Sequence, residues 1–67
     1  MNEYLTPSYE YLAFSRWEAS NGTDWNAGHV VAKAAGITYR RLRYLYTRCD
    51  WAFWSGEIES RILNVNA

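Results

Sequence analysis

The side chains that most often carry out chemistry are few in this chain and stand apart from one another. His29 is the one histidine and Cys49 the one cysteine, so neither has a partner of its own kind at metal-ligand spacing. We expect a satisfied surface or phosphate-contacting histidine and an inert, partly buried thiol. Glu57 and Glu59 face apart if they lie in a helix, where they would complement the dipole of its start. With no glycine-rich phosphate loop in the sequence, we expect no enzyme, no metal and no cofactor.

Positive charge is concentrated in the middle of the chain. Seven basic and seven acidic residues cancel overall. Residues 1–24 carry four acidic residues against one arginine, and residues 50–67 carry three against one. Residues 25–49 contain no acidic residue and five basic ones: Lys33, Arg40, Arg41, Arg43 and Arg48. Such segregation creates a local positive field that the net charge hides, although a solvated, arginine-rich helix face would look the same.

The length and composition predict one compact domain spanning residues 1–67. A chain of this size buries only about 60% of its unfolded surface, so its core needs large side chains. Hydrophobic residues make up 49% and aromatic residues 18% of the chain, which supplies them. No apolar run approaches the roughly 18 residues of a membrane span, and the first residues do not resemble a signal peptide. Together with the single cysteine, this predicts a cytoplasmic protein without a membrane partner.

A first helix is predicted to begin at Thr6 and Pro7, with Thr6 as N-cap and Pro7 in the first helical position. Its apolar stripe would be formed by residues spaced three and four apart. The helix should end at Asn21-Gly22, since both residues tolerate the left-handed conformation of helix ends. The stripe consists of Tyr9, Leu12, Ala13 and Trp17.

Two further helices are predicted in the basic segment. Thr23 or Asp24 would cap the second, Gly36 would end it, and Thr38 would cap the third. Ile37 between them should be buried, as should Leu42 and Leu45 on the third helix. The apolar side of the second helix would comprise Ala27, Val30, Val31, Ala34 and Ala35.

The tail after Asp50 is open to more than one prediction. An apolar stripe at helical spacing favours a helix, but Gly56 interrupts it at a cost of about 1 kcal/mol. A shorter helix capped by Ser55 and running from about Gly56 to Asn64 is one alternative. A hairpin turning at Ser55-Gly56 is another. The stripe consists of Trp51, Trp54, Ile58, Ile62 and Val65.

Residues 28–47, GHVVAKAAGITYRRLRYLYT, resemble the helix-turn-helix motif of phage repressors and small bacterial regulators. Ala32 supplies the small residue where two steeply crossing helices touch, and Gly36 supplies the positive φ of the turn. Ile37 pins the turn, Leu42 and Leu45 face the core, and no proline or inward charge interferes. The resemblance implies an all-α domain of three to four helices. A helical bundle with a similar corner is the structural alternative.

The resemblance also implies which residues meet DNA. The second motif helix, about residues 38–48, would lie in the major groove. Arg40 and Arg43 would contact bases or backbone, with Lys33 and Arg48 on phosphates and Arg41 on a phosphate or an acidic neighbour. The helix start near Asn26 and Gly28 would hold a phosphate through free N–H groups. Supporting contacts would come from Thr38, Tyr39, Tyr44 and Thr47.

The implied function is a small sequence-specific DNA-binding protein, a transcriptional regulator of phage or bacterial type that binds double-stranded DNA. The aromatic tail, with Trp51, Phe53 and Trp54, would suit a homodimer seam, or its rings would simply complete the core. A protein–protein module that inhibits a host protein through its Tyr/Arg face is the main alternative. An excisionase-like factor that bends DNA is a weaker one.

Overall fold

The computed structural model describes residues 8–65, and their side chains through Asn64. These residues form a small all-α domain with no strand, which confirms the predicted fold class. None of the described helices has the length and apolarity that crossing a bilayer requires. The four helices are α1 (Tyr9–Ala19), α2 (Trp25–Ala35), α3 (Tyr39–Arg48) and α4 (Trp51–Val65).

Three of the helices begin at a side-chain cap. The Ser8 hydroxyl, the Asp24 carboxylate and the Thr38 hydroxyl each accept a hydrogen bond from the backbone N–H three residues later, at 3.0, 3.1 and 3.0 Å. Each cap satisfies a donor that the first helical turn would leave free. Asp24 and Thr38 were predicted. The predicted cap Thr6 and Pro7 lie outside the described residues, and α1 begins after Ser8 instead.

Helices α1 and α2 end in the same way, in a left-handed residue closed by a pair of backbone hydrogen bonds. At the end of α1, Asn21 has a φ of 58° and the N–H of Gly22 donates to the carbonyl of Trp17 at 3.0 Å. At the end of α2, Gly36 has a φ of 75° and the N–H of Ile37 donates to the carbonyl of Ala32 at 3.0 Å. These 6→1 bonds define the Schellman ending, which satisfies carbonyls that a helix leaves free. Both predicted stop signals are confirmed.

The core lies where the four helices meet. Trp17 is fully buried at its centre, together with Val31 of α2, Leu42 of α3 and Ile58 of α4. The buried hydrophobic residues are Ala13, Phe14, Trp17, Ala27, Val31, Ala32, Ala35, Leu42, Leu45, Ile58 and Ile62.

The predicted apolar stripe of α1 is partly wrong. Ala13 and Trp17 are buried as expected, but Tyr9 is 70% and Leu12 50% exposed. Phe14 is buried in their place. Spacing could not decide between them, because apolar residues occur on more than one side of this short helix. The residues predicted to face inward in α2, α3 and the turn between them are buried, except for Val30, Ala34 and Ile37, which are half-buried.

The tail is one continuous helix. α4 begins at Trp51, where the carbonyl of Asp50 accepts from the N–H groups of Phe53 and Trp54. It then passes through Gly56 without a break. The hairpin and the shorter helix from Gly56 are therefore wrong: full burial of Ile58 and Ile62 outweighs the cost of one helical glycine. Trp51 and Trp54 pack against the core, as the predicted stripe requires. The side chain of Val65, the last residue of that stripe, is not among those that the structure describes.

Candidate nucleic-acid interface

The turn between α2 and α3 has several of the features on which the sequence resemblance depends, although Ile37 is only half-buried. Ala32 is buried where α2 faces the core, Gly36 is left-handed, and Thr38 caps the next helix. Leu42 and Leu45 are 0% and 2% exposed, so they fix which side of α3 turns inward. Burial of these two leucines therefore determines which residues of α3 face outward.

The outward side of α3 is basic and aromatic. The guanidinium of Arg41 lies over the ring of Tyr44, with 5.9 Å between Cζ and the ring centroid. Such a contact is worth about 0.5–1 kcal/mol at an exposed site and favours one orientation of the arginine. Thr38, Arg40, Arg41 and Tyr44 line a shallow depression at the N-terminal end of this side. We call the exposed residues Arg40, Arg41, Tyr44, Thr47 and Arg48, with Thr38 at their edge, the α3 outer face.

Arg43 stands at the margin of this face and has a contact within the fold. Its Nη1 donates a 3.1 Å hydrogen bond to the carbonyl of Gly22, in the connection between α1 and α2. One of its donors is therefore already used inside the protein. The structure shows Arg43 as a link between α3 and the end of α1, a role that the sequence did not predict. Thr47 likewise donates from its hydroxyl to the carbonyl of Arg43 at 2.8 Å.

Tyr39 packs against the protein instead of standing free. Its half-buried ring stacks on His29, with centroids 4.5 Å apart, and His29 meets Trp25 edge-on at 4.3 Å. Gly28 makes this packing feasible, because a Cβ there would overlap the Tyr39 ring and lie 2.7 Å from Nε1 of Trp17. An aromatic side chain that closes the α2–α3 contact has less freedom to reach a ligand than the sequence suggested.

Gly28 does not supply the free N–H group that was predicted for a phosphate near Asn26 and Gly28. Gly28 is buried, and its N–H donates to the carbonyl of Asp24 at 2.9 Å. The neighbouring N–H of Ala27 is taken by the Asp24 carboxylate. These N–H groups close the first turn of α2 and are not free for an anion, although Asn26 itself is exposed. Glycine is unfavourable inside a helix. Its presence at position 28 was therefore the sequence signal for the close contact with Tyr39 and Trp17.

Lys33 is exposed but does not join the α3 outer face. It lines a surface depression with Tyr9 and Glu10 of α1 and with Val30 and Ala34 of its own helix. The structure thus brings together the sequence-predicted residues of α3, holds Tyr39 and Arg43 partly within the fold, and leaves Lys33 elsewhere.

Two of the remaining candidate residues, Cys49 and Glu59, have contacts within the fold, whereas Glu57 is exposed. Cys49 is half-buried against the core, and Glu57 and Glu59 lie in the middle of α4 rather than at a helix start. Glu59 accepts a 3.1 Å hydrogen bond from the hydroxyl of Tyr11, and this bond raises the pKa of that tyrosine above its usual value. Within residues 8–65, no three His, Cys, Asp or Glu side chains are grouped so as to hold a metal ion.

Sequence reasoning also missed a second arginine that binds a helix end. Nη1 of Arg61 on α4 donates to the carbonyl of Ala35 at 3.1 Å, at the end of α2. Its partner lies 26 residues away in the chain, so no local pattern pointed to it. This bond ties α4 to the turn that orients α3.

No protein-family model matches the chain, and neither a curated protein nor a solved structure is detectably similar to it. The function of the α3 outer face is therefore inferred from its own geometry and charge.

Proposed function

We propose that this protein binds double-stranded DNA in a sequence-specific manner and acts as a transcriptional regulator of phage or bacterial type. The observation that carries the proposal is the composition of the α3 outer face. Arg40, Arg41 and Arg48 are exposed on one side of a single helix, in a segment without acidic residues. Core packing does not demand arginines on an outward side, so their concentration there needs another explanation.

The dimensions of α3 suit the major groove. A helix of 10 residues is about 15 Å long, and the groove is about 12 Å wide and admits one α-helix. In a helix-turn-helix arrangement, the N-terminal half of the second helix lies nearest the base edges. Arg40 and Arg41 occupy that half, Tyr44 begins the second half, and Arg48 at the C-terminal end would meet a phosphate.

The individual side chains suggest a division of roles. Arg40 is free to form the bidentate hydrogen bonds by which arginine recognises guanine. Arg41 is held over Tyr44, which reduces the entropy lost when it engages a base or a phosphate. Thr47 and Thr38 would add backbone or thymine-methyl contacts. Arg43 would contribute less, because it already binds the Gly22 carbonyl.

Salt dependence of binding to duplex DNA tests the proposal. If about four cations neutralise phosphates, the logarithm of the association constant falls with the logarithm of salt concentration at a slope of about −3 to −4. We would measure this by fluorescence anisotropy with a labelled random duplex. The double variant Arg40→Ala, Arg41→Ala should weaken binding at least tenfold and flatten the slope by about 2.

A charge-matched control separates the face from the net charge. The double variant Arg16→Ala, Lys33→Ala removes the same charge from exposed positions outside the α3 outer face. It should retain nearly all duplex affinity. Equal losses in the two variants would mean that binding is diffuse and that α3 does not enter a groove.

Selection from a random duplex pool tests sequence specificity. A DNA-binding regulator should retain a shared motif, and Arg40→Ala should relax one position within it by about 1–3 kcal/mol. Absence of duplex binding at low salt would remove the DNA proposal and favour a protein partner for the Tyr/Arg face. Strong binding with bending but no shared motif would favour the excisionase-like alternative.

A further inference from the structure

The outward side of α4 carries a second apolar surface, separate from the α3 outer face. Phe53 is 56% and Leu63 55% exposed, whereas Ile58 and Ile62 of the same helix are fully buried. Phe53, Gly56, Ser60 and Leu63 follow at steps of three, four and three residues, which places them on one side of the helix, opposite the core. We call these four residues the α4 seam.

Gly56 in this seam has no explanation inside the described fold. Among the described residues, no atom outside its own helix backbone lies within 4 Å of the position that a Cβ would occupy there, and its φ is not positive. Glycine is unfavourable inside a helix, so the fold alone would be better served by alanine. Together with Ser60, Gly56 leaves a low stretch between two exposed large apolar side chains, where a second helix can approach closely.

The order of the seam residues reads the same in both directions: large, small, small, large. Its midpoint falls at position 58, so an antiparallel copy of α4 brings Phe53 opposite Leu63 and Gly56 opposite Ser60, and the reverse. That is the self-complementarity that a twofold interface requires. The three- and four-residue steps are those of a helix that packs along a seam with another helix.

We propose that α4 pairs with α4 of a second copy of this chain, antiparallel, along the α4 seam. This inference rests on α4 and is independent of the proposed DNA function. Four side chains per helix form a smaller contact than the roughly 1,200–2,000 Å² buried in stable complexes. The dimer is therefore weak, and it exchanges with the monomer in a concentration-dependent way.

The charges beside the seam predict how salt affects the dimer. Glu57 is exposed and lies one residue from the midpoint, so the twofold pairing brings it near its own copy. Salt screens repulsion between exposed like charges. Added salt therefore strengthens pairing, whereas it weakens binding to DNA.

Sedimentation of the whole chain over a range of concentrations tests the proposal. Phe53→Glu should raise the dimer dissociation constant at least tenfold, while Leu12→Glu, which alters a similarly exposed residue on α1, should leave it unchanged. Gly56→Ala should weaken pairing and yet raise the melting temperature of the monomer, since alanine favours a helix and the new methyl group meets no atom of the described residues. A monomer at millimolar concentration would overturn the proposal, as would a dimer that Leu12→Glu disrupts and Phe53→Glu does not.

Disulfide capture fixes the register and direction. In a Cys49→Ser background, chains carrying Gly56→Cys are mixed with chains carrying Ser60→Cys and oxidised. Antiparallel pairing should raise the mixed dimer above the share that random pairing of equal amounts of the two chains gives, because position 56 faces position 60. The random distribution of the three products, or an excess of homodimers over it, would overturn the antiparallel seam. A Ser15→Cys pair, on an exposed part of α1, reports the background rate.

Discussion

The two helix connections that flank α2 use the same backbone device under different constraints. The first connection, residues 20–24, joins α1 to α2, and the second, residues 36–38, joins α2 to α3. Each preceding helix ends in a left-handed residue and a Schellman pair of hydrogen bonds. Each ending also receives a guanidinium from a later helix: Arg43 binds the carbonyl of Gly22, and Arg61 binds that of Ala35.

The difference lies in what surrounds the glycine. Gly22 is buried, and a Cβ there would lie 3.3 Å from both Cζ2 of Trp17 and Cδ2 of Tyr46. Gly36 is exposed, and no atom of the described residues would come within 4 Å of its Cβ. Gly22, like Asn21 before it, has a positive φ, 78°. It is thus required for its backbone conformation and for space, whereas Gly36 is required for conformation alone. A glycine in a turn does not say by itself which of the two constraints applies.

The largest expected effect comes from adding one methyl group to each connection. Gly22→Ala should destabilise the protein by about 2–3 kcal/mol, because strain at positive φ adds to crowding against two aromatic rings. Gly36→Ala should cost about 1 kcal/mol, from strain alone. Chemical denaturation followed by circular dichroism measures both. Equal losses would show that the Trp17 and Tyr46 rings move aside at little cost.

Asparagine separates the two constraints more finely, because it tolerates the left-handed region better than other side chains. Gly36→Asn should recover most of the loss seen with alanine and remain within about 0.5 kcal/mol of the parent. Gly22→Asn should still lose more than about 1.5 kcal/mol, since the space around it is filled. If Gly22→Asn were as stable as Gly36→Asn, conformation alone would govern both connections.

The cap after the second connection should matter somewhat less. Thr38→Ala removes the acceptor for the N–H of Arg41 and should cost about 1 kcal/mol, while Thr38→Ser should keep most of that stability. Thermal unfolding of the three proteins measures the effect. A serine variant as unstable as the alanine variant would attribute the loss to the threonine methyl group rather than to the cap.

The smallest effects should follow removal of the two guanidinium contacts. Arg43→Met and Arg61→Met each replace one hydrogen bond to a helix-end carbonyl with an apolar side chain of similar length, at a cost of about 0.5–1 kcal/mol. Arg43→Met should weaken duplex binding less than Arg40→Ala does. If Arg43→Met reduces the free energy of duplex binding by more than it reduces the free energy of unfolding, Arg43 contacts DNA.

Local chemistry made much of this fold predictable. Asp24, Gly36 and Thr38 mark helix boundaries through bonds within a few residues, so sequence spacing suffices to read them. The inward positions of Leu42 and Leu45 follow from helical periodicity in a segment with few other apolar choices. In α1, by contrast, Tyr9, Leu12 and Phe14 compete for the same core, and only tertiary packing decides.

The candidate site was predictable only in part. Arg40, Arg41, Tyr44, Thr47 and Arg48 stand outward because the inward side of α3 is fixed. The bonds of Arg43 and Arg61 span 21 and 26 residues, so no pattern in the sequence reports them. The stacking of Tyr39 on His29 likewise depends on how α2 and α3 meet.

Trp17 links all four helices through a single indole ring. It contacts Gly28 of α2, meets Tyr46 of α3 at 4.9 Å between ring centroids, and meets Trp51 of α4 at 5.6 Å. Detaching any one helix would expose this ring to water. Partial opening therefore loses much of the apolar burial that holds the other three helices together. Unfolding should consequently be cooperative, with the slowest-exchanging amides of every helix sharing one protection factor.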